Sequence, residues 1–259
     1  MNLQVKTMAD WMAEGKEAEI LFWVGSAGSF DERAKKITRA FVKILNKAKV
    51  NFGVLGTEES SSGDAAKRAG NEFLFQMQAM TNIEVMKSYN IKRIVTTCPH
   101  SYNTIKNEYK KLGGNYEVLH HTEFIDELIN NKKFSISGDL KGKRITYHDP
   151  CYLGRANEVF EIPRNLIKRL GVELVEMKRS KRKSFCCGAG GAQMFKEPEN
   201  GQQDININRT EEAIKTKAEV IATGCPFCNT MITDGVKNLA EGNVEILDIA
   251  ELIVEAEGL

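Results

Sequence analysis

Short apolar runs alternate along the chain with longer segments whose apolar positions recur at a helical period. The runs have the length and composition of buried strands, and they fall at residues 20–24, 51–55, 94–97, 144–147, 172–176, 220–223 and 244–247. Candidate helices lie between them, at residues 32–47, 70–89, 163–170 and 210–217. Alternating strands and helices predict parallel sheets covered by helices, which is the α/β class.

The two halves of the chain resemble one another in sequence. Residues 20–26 resemble residues 145–151, and Ser61-Ser62-Gly63 stands opposite Cys186-Cys187-Gly188. The offset between the copies grows only from 125 to 128 over the whole half, which indicates a tandem duplication. We therefore predict two tandem Rossmann-like domains with parallel sheets, related by internal duplication. Their predicted bounds are 1–137 and 143–259, with a polar, glycine-containing linker at 135–142.

The copies differ in their cysteines. The second copy has five, and the corresponding positions of the first copy hold one cysteine and four serines: Cys151, Cys186, Cys187, Cys225 and Cys228 against Ser26, Ser61, Ser62, Cys98 and Ser101. Serine is nearly isosteric with cysteine but supplies no thiolate, the ligand that soft metal sites need. We expect the first copy to keep the fold and to have lost the metal.

Composition and charge exclude several classes of protein. The chain has 259 residues and a formal net charge of +1, a balance that gives no support to nucleic-acid binding. No apolar run is long enough to span a membrane, and the first six residues lack the apolar core of a signal peptide. We therefore expect a cytoplasmic protein. In a reducing cytoplasm, a cysteine cluster predicts a metal site rather than a disulfide framework.

The second half carries the motif C-x34-C-C-G-x36-C-x-x-C. Together with His148-Asp149-Pro150 before the first cysteine, this motif resembles the cysteine-rich CCG domain. That domain occurs in heterodisulfide reductase and in the iron–sulfur proteins of lactate and glycolate oxidation systems. The resemblance implies one noncubane [4Fe-4S] cluster per chain, with all five cysteines of the second copy as ligands. The serines of the first copy depart from the family pattern and put a second cluster in doubt.

The resemblance implies an iron–sulfur electron-transfer protein, one component of an oxidoreductase that acts with ferredoxin-like or flavoprotein partners. Thiol or disulfide redox chemistry at the cluster is part of that expectation, and no catalytic residue is assigned. The alternative is a zinc-stabilised structural or binding module that uses four of the same thiols. A dithiol oxidoreductase using Cys225 and Cys228 is a third reading, but it leaves three cysteines without a role.

Residues near the cysteines add three expectations. Gly188, Gly190 and Gly191 allow backbone N–H groups to approach the sulfur atoms. The basic run at 178–183 either balances the cluster charge, docks an acidic partner, or is a solvated loop. His148, three residues before Cys151, either reaches the cluster or is a structural imidazole at the end of a strand.

Overall fold

The computed structural model describes residues 3–197, 200–239 and 244–259. The chain divides into two compact units between Phe134 and Ser135, at the start of the polar segment 135–142. Each unit has one all-parallel sheet with helices in the connections. The predicted α/β class with tandem parallel-sheet domains is therefore confirmed.

The first unit is built on a five-stranded sheet in the order β1-β3-β2-β4-β5. Its strands are β1 (Lys6–Thr7), β2 (Ile20–Trp23), β3 (Phe52–Val54), β4 (Arg93–Thr96) and β5 (Glu117–His120). Its helices are α1 (Met8–Ala13), α2 (Gly25–Phe30), α3 (Glu32–Lys47), α4 (Asp64–Arg68), α5 (Glu72–Ser88), α6 (Pro99–Asn103) and α7 (His121–Asn130).

The second unit has a four-stranded sheet in the order β7-β6-β8-β9. Its strands are β6 (Arg144–Tyr147), β7 (Glu173–Val175), β8 (Val220–Thr223) and β9 (Glu245–Asp248). Its helices are α8 (Glu161–Arg169), α9 (Ile205–Ile214), α10 (Pro226–Leu239) and α11 (Ile249–Glu257). Leaving out β1, the two sheets have the same strand order, as a duplication requires.

β1 and α9 are two of the elements that differ from the sequence prediction. β1 has only two residues, too few to give a periodic signal. α9 spans Ile205–Ile214, whereas the sequence pattern predicts a helix at 210–217. The earlier start escapes the pattern because the buried face of α9 includes Arg209, a charged residue that no apolar stripe would indicate.

Helix α3 shows why the amphipathic segments fold as they do. Asp31 caps it by accepting a hydrogen bond from the Ala34 N–H, and its apolar face, which includes Ile37 and Phe41, is fully buried. α3 therefore packs in the core rather than on a lipid surface. Among the described residues, no helix combines the length and apolar composition needed to cross a bilayer.

A buried ion pair fixes the loop that follows β6. Arg164 of α8 donates two hydrogen bonds to the Asp149 carboxylate, at 2.7 and 2.8 Å, and both side chains are 1% exposed. The same guanidinium binds Glu176, just after β7, at 2.6 and 2.9 Å. Asp149 also accepts a hydrogen bond from the Lys181 N–H at 2.8 Å. This network ties the end of β6 to the segment that leads to Cys186.

A half-buried carboxylate fixes the end of β2 in the first unit. The two carboxylate oxygens of Glu59 accept hydrogen bonds from the Val24 and Gly25 N–H groups, at 2.9 and 2.6 Å, where β2 leads into α2. Burial raises the pKa of Glu59 to about 7, although the two N–H donors act in the opposite direction. Glu59 thus anchors the end of β2 with a carboxyl group that titrates near neutral pH.

Replacing Arg164 with methionine should lower the free energy of unfolding of the second unit by about 3–5 kcal/mol, because Asp149 is left as an unpaired buried charge. The measurement is urea unfolding followed by far-UV circular dichroism. Both tryptophans, Trp11 and Trp23, lie in the first unit, so their fluorescence serves as an internal reference. Arg182→Met is the matched control, because Arg182 and its partner Glu158 are exposed, and it should cost less than about 1 kcal/mol. Equal costs for the two variants would contradict the assigned role of Arg164.

The Glu59 pKa predicts a pH dependence of stability. The folded-state pKa of Glu59, about 7, lies above the ordinary value of 4.5. The contribution of Glu59 to the free energy of unfolding is therefore complete below pH 4.5 and is lost as pH rises through 7. The linkage is worth about 2–3 kcal/mol. Tryptophan-detected unfolding between pH 4 and 8 should show this decline in the wild type and not in Glu59→Gln. Glu84→Gln, at an exposed position of α5, should keep the wild-type slope; an unchanged slope in Glu59→Gln would refute the prediction.

Candidate metal centre

The parallel sheet of the second unit brings distant cysteines to one edge. Cys151 follows β6, and Cys225 follows β8 immediately before α10. β6 and β8 are hydrogen-bonded neighbours, while β7 lies on the other side of β6. The chain order therefore reverses between β6 and β8. A crevice opens at the carboxyl ends of strands at such a switch point, and ligands of open α/β sheets bind there.

All five predicted cysteines meet at this edge. Cys187, Cys225 and Cys228 pack in one buried cluster, and Cys151 and Cys186 line one cleft. The sulfur atoms of Cys187 and Cys228 are 3.2 Å apart, and none of the cysteines forms a disulfide. Clustered thiols are the donor set that zinc and iron–sulfur clusters require, so the residues present fit such a group.

The site has a closed side and an open side. Cys187, Cys225 and Cys228 are at most 3% exposed and pack with Met194, Phe227 and Met231. Cys151 and Cys186 are half-buried and border an open cleft of about 420 Å³, beside Tyr152 and Arg155. Arg155 is anchored there by donating a hydrogen bond to the Ser184 carbonyl at 3.1 Å.

The neighbouring thiols shift one another's pKa values in opposite directions. Hydrogen bonds from the Cys151 and Cys187 thiols, and a third from the Gly188 N–H, hold the pKa of Cys186 well below its ordinary value. The same contacts with Cys186 raise the pKa of Cys151 and of Cys187, and burial adds to both effects. Contacts with Cys187 and Cys225, followed by burial, raise the pKa of Cys228. Cys186 is therefore the first of these thiols to become a thiolate.

The glycine-rich loop contributes one direct donor. Gly188 has φ +92° and its N–H donates to the Cys186 sulfur at 3.3 Å. A Cβ on Gly188 would lie 3.2 Å from the Cβ of Ile205, so both the conformation and the space favour glycine there. Gly191 also has a positive φ, +70°. The expected approach of a backbone N–H to sulfur is thus present at Gly188.

His148 lies on the closed side of the site. A ring nitrogen of His148 and the sulfur atoms of Cys187 and Cys228 all lie within 4.8 Å of one another, and all three residues are buried. The Arg209 Nε donates to His148 Nδ1 at 3.0 Å. Burial, reinforced by the positive charge of Arg209, holds the pKa of His148 well below its ordinary value. His148 is therefore a neutral imidazole beside the thiols.

Several cations of the basic run at 178–183 form ion pairs with carboxylates. Arg179 binds Glu212 and stacks on the Phe185 ring, with its guanidinium carbon 3.9 Å from the ring centroid. Lys181 pairs with Glu161, and Arg182 pairs with Glu158. These three cations thus serve structural ion pairs in the segment before Cys186.

The first unit brings together only part of the corresponding set. Ser62 and Ser101 are linked by a hydrogen bond of 3.4 Å, but Ser26 is exposed on α2. His100 pairs with Asp64 at 2.8 Å, which favours a structural role. Within the described ranges, groups of three or more cysteine, histidine or acidic ligands are found only around His148, in the second unit.

Sequence reasoning missed the residues that support the site. Arg209, Arg164 and Asp149 are all buried and charged, and each finds its partner through the fold rather than along the chain. Only Asp149, two residues before Cys151, lay within a segment that the motif singled out.

Comparison with known proteins agrees with this geometry. The profile of the CCG family, described as a cysteine-rich domain, matches residues 20–106 and 145–233. The two matched segments fall one in each unit.

The relatives are iron–sulfur and oxidoreductase proteins. The chain is 48% identical over 257 residues to the probable iron–sulfur-binding oxidoreductase FadF of Bacillus subtilis, covering 98% of this chain and 36% of that protein. It is 45% identical to the EtfAB:quinone oxidoreductase of Syntrophomonas wolfei, covering 97% of this chain and 36% of that protein. One component of the dihydromethanophenazine:CoB–CoM heterodisulfide reductase from Methanosarcina barkeri is 32% identical, with 94% of this chain and 60% of that protein covered. The chain thus spans about a third of the first two relatives.

A solved structure supports the fold alone. The crystal structure of a hypothetical protein from Helicobacter pylori superposes with a TM-score of 0.60 at 9% identity, covering 93% of this chain and 49% of that one. Because the family profile matches most of the chain in two repeats, the expected resemblance is confirmed. This chain belongs to the cysteine-rich CCG domain family.

Proposed function

We propose that the second unit, the intact CCG domain of residues 143–259, holds one noncubane [4Fe-4S] cluster on Cys151, Cys186, Cys187, Cys225 and Cys228. The observation that carries the proposal is the convergence of the five cysteines at the switch point between β6 and β8, three in one buried cluster and two on one cleft. When bound, the cluster supplies a one-electron carrier and a thiophilic iron. The first copy, residues 1–137, is the degenerate domain and holds no cluster.

The chain acts as an electron relay whose open side is formed by Cys151 and Cys186. These two thiols border the cleft, whereas the other three face the protein interior. Electrons therefore enter and leave on the side of Tyr152 and Arg155. Ferredoxin-like or flavoprotein components in the cytoplasm are the partners we assign, and two relatives carry EtfAB, a quinone or a heterodisulfide in their names. Thiol or disulfide redox chemistry would use the same open side.

A zinc module that uses four of the five thiols is the second candidate, because the sulfur atoms of Cys187 and Cys228 lie 3.2 Å apart, close enough to share one ion. Four ligands complete a tetrahedral zinc site, so a zinc site would leave at least one of the five cysteines unused. The adjacent pair Cys186 and Cys187 favours the multi-iron group, since one thiol belongs to the buried cluster and the other lines the cleft, and a single tetrahedral ion would leave a thiol over.

Anaerobic reconstitution should load about four irons and about four sulfides per chain, since one ligand set is complete. The checks are iron, sulfide and zinc analysis together with EPR of the oxidised and reduced protein. Stoichiometric zinc in a colourless protein would establish the zinc module. A reproducible value of about eight irons would show that the first copy also holds a cluster.

Each of the five Cys→Ser variants should lose the native EPR signal, because the noncubane arrangement needs all five thiolates, whereas a cubane needs one thiolate per iron. Cys98→Ser is the matched control: Cys98 is the buried thiol of the first unit, and its loss should leave iron content and spectrum unchanged. Full iron and an unaltered spectrum in Cys186→Ser or in Cys187→Ser would show that four ligands suffice, and the noncubane assignment would be wrong.

A further inference from the structure

A buried arginine determines the orientation of the proton on His148. Arg209 is 0% exposed, and its Nε donates to His148 Nδ1 at 3.0 Å. Its Nη1 donates to the Arg179 carbonyl at 2.9 Å and to the Glu212 carboxylate at 3.1 Å. The Arg179 carbonyl and the carboxylate of Glu212, on the same helix α9, therefore fix the guanidinium, and the direction of its Nε–H bond follows from that anchoring.

A guanidinium can only donate hydrogen bonds, so Arg209 Nε must be the donor in this hydrogen bond. His148 Nδ1 must accept with its lone pair, and the ring proton must lie on Nε2. The other tautomer would set an Nδ1–H against the Arg209 Nε–H. Arg209 thereby selects the Nε2–H tautomer of His148.

The Nε2–H of His148 has no hydrogen-bond partner among the residues that the structure describes, and the atom is buried. An unpartnered buried donor is costly, and native proteins leave few of them. The neighbours that could accept are sulfur atoms, because Cys187 and Cys228 lie within 4.8 Å of a ring nitrogen of His148.

The direction of the hydrogen bond from Arg209 to His148 also excludes His148 as a metal ligand. A ligating imidazole binds the metal through a lone pair and donates its other N–H to a carboxylate or a carbonyl. Here the second nitrogen faces a donor, so Nε2 has no lone pair to offer.

The geometry points to His148 as a positioning residue for electron transfer: held by Arg209, it donates its Nε2–H to the sulfur side of the cluster and raises the reduction potential. This inference rests on the proposed cluster. Hydrogen bonds to the sulfurs are among the factors that set the potentials of iron–sulfur proteins. The reduced cluster carries the extra negative charge, so the donor stabilises the reduced form more than the oxidised form.

The first unit offers a matched control position. Trp23 stands opposite His148 in the duplication, and its Nε1–H is also buried without a partner among the described residues. An indole N–H is a donor only, so both copies present a donor at this position. The first copy has serines in place of most of the thiols, and therefore removing the Trp23 donor should leave the cluster unaffected.

The first experiment needs no cluster. ¹⁵N NMR of the imidazole nitrogens in the full-length, iron-free chain should show His148 with a protonated Nε2 and an unprotonated Nδ1. Arg209→Met removes the donor and should shift His148 towards a mixture of tautomers. A protonated Nδ1 in the wild type would overturn the inference, whatever the protein does with iron.

The second experiment measures the midpoint potential of the reconstituted chain by EPR-monitored redox titration. His148→Leu should keep its iron and lower the ratio of reduced to oxidised cluster about tenfold at a fixed potential, which corresponds to about 59 mV for one electron. His148→Gln, whose amide keeps an N–H near the position of Nε2, should restore most of the loss. Trp23→Phe should have no effect.

The outcomes separate this inference from the proposed function. Iron loss in His148→Leu as complete as in the Cys→Ser variants, without rescue by glutamine, would make His148 a ligand. An unchanged midpoint potential with full iron would show that the imidazole of His148 has only a structural role. Both results contradict the inference and leave the cluster assignment in place. A wild-type chain that binds no iron and sulfide would instead refute the proposed function, and with it the acceptor that His148 requires.

Discussion

The site depends on one topological constraint, the adjacency of β6 and β8 in a parallel sheet whose strand order reverses between them. Parallel strands deliver the residues after them to the same edge, so Cys151 and Cys225 become neighbours although 73 positions separate them. The first turn of α10 then adds Cys228, and the long loop after β7 supplies the adjacent pair. No local segment could assemble these thiols, which explains why the motif extends over so much of the chain.

Buried cations give this edge its rigidity. Arg164 bridges Asp149 and Glu176, while Arg209 bridges His148, Glu212 and the backbone of residue 179. Every guanidinium nitrogen of Arg164 has a partner, as the burial of a charge requires, whereas Arg209 Nη2 has none among the described residues. The two networks fix the loops that carry Cys151 and Cys186.

The sequence predicts the chemistry of the site better than it predicts the supporting residues. The strands, the duplication and the cysteine set follow from apolar runs and spacing, because both signals are local or repeated. The N-terminal half of α9 and the roles of Arg209 and Glu59 could not be predicted from the sequence, because each depends on a partner that the fold alone supplies. Arg209 also makes α9 hard to recognise from the sequence, since a charged residue on a buried face interrupts the apolar periodicity by which helices are recognised.

The open side of the centre determines how the iron-free chain responds to oxygen. Oxidants attack thiols that combine a depressed pKa with solvent access, and Cys186 has both. Its half-exposed neighbour Cys151 is in contact with it, as a resolving thiol must be, whereas Cys187, Cys225 and Cys228 are shielded. Oxidation of the iron-free chain is therefore expected to begin at this edge, at Cys186 and Cys151, while the three shielded thiols stay reduced.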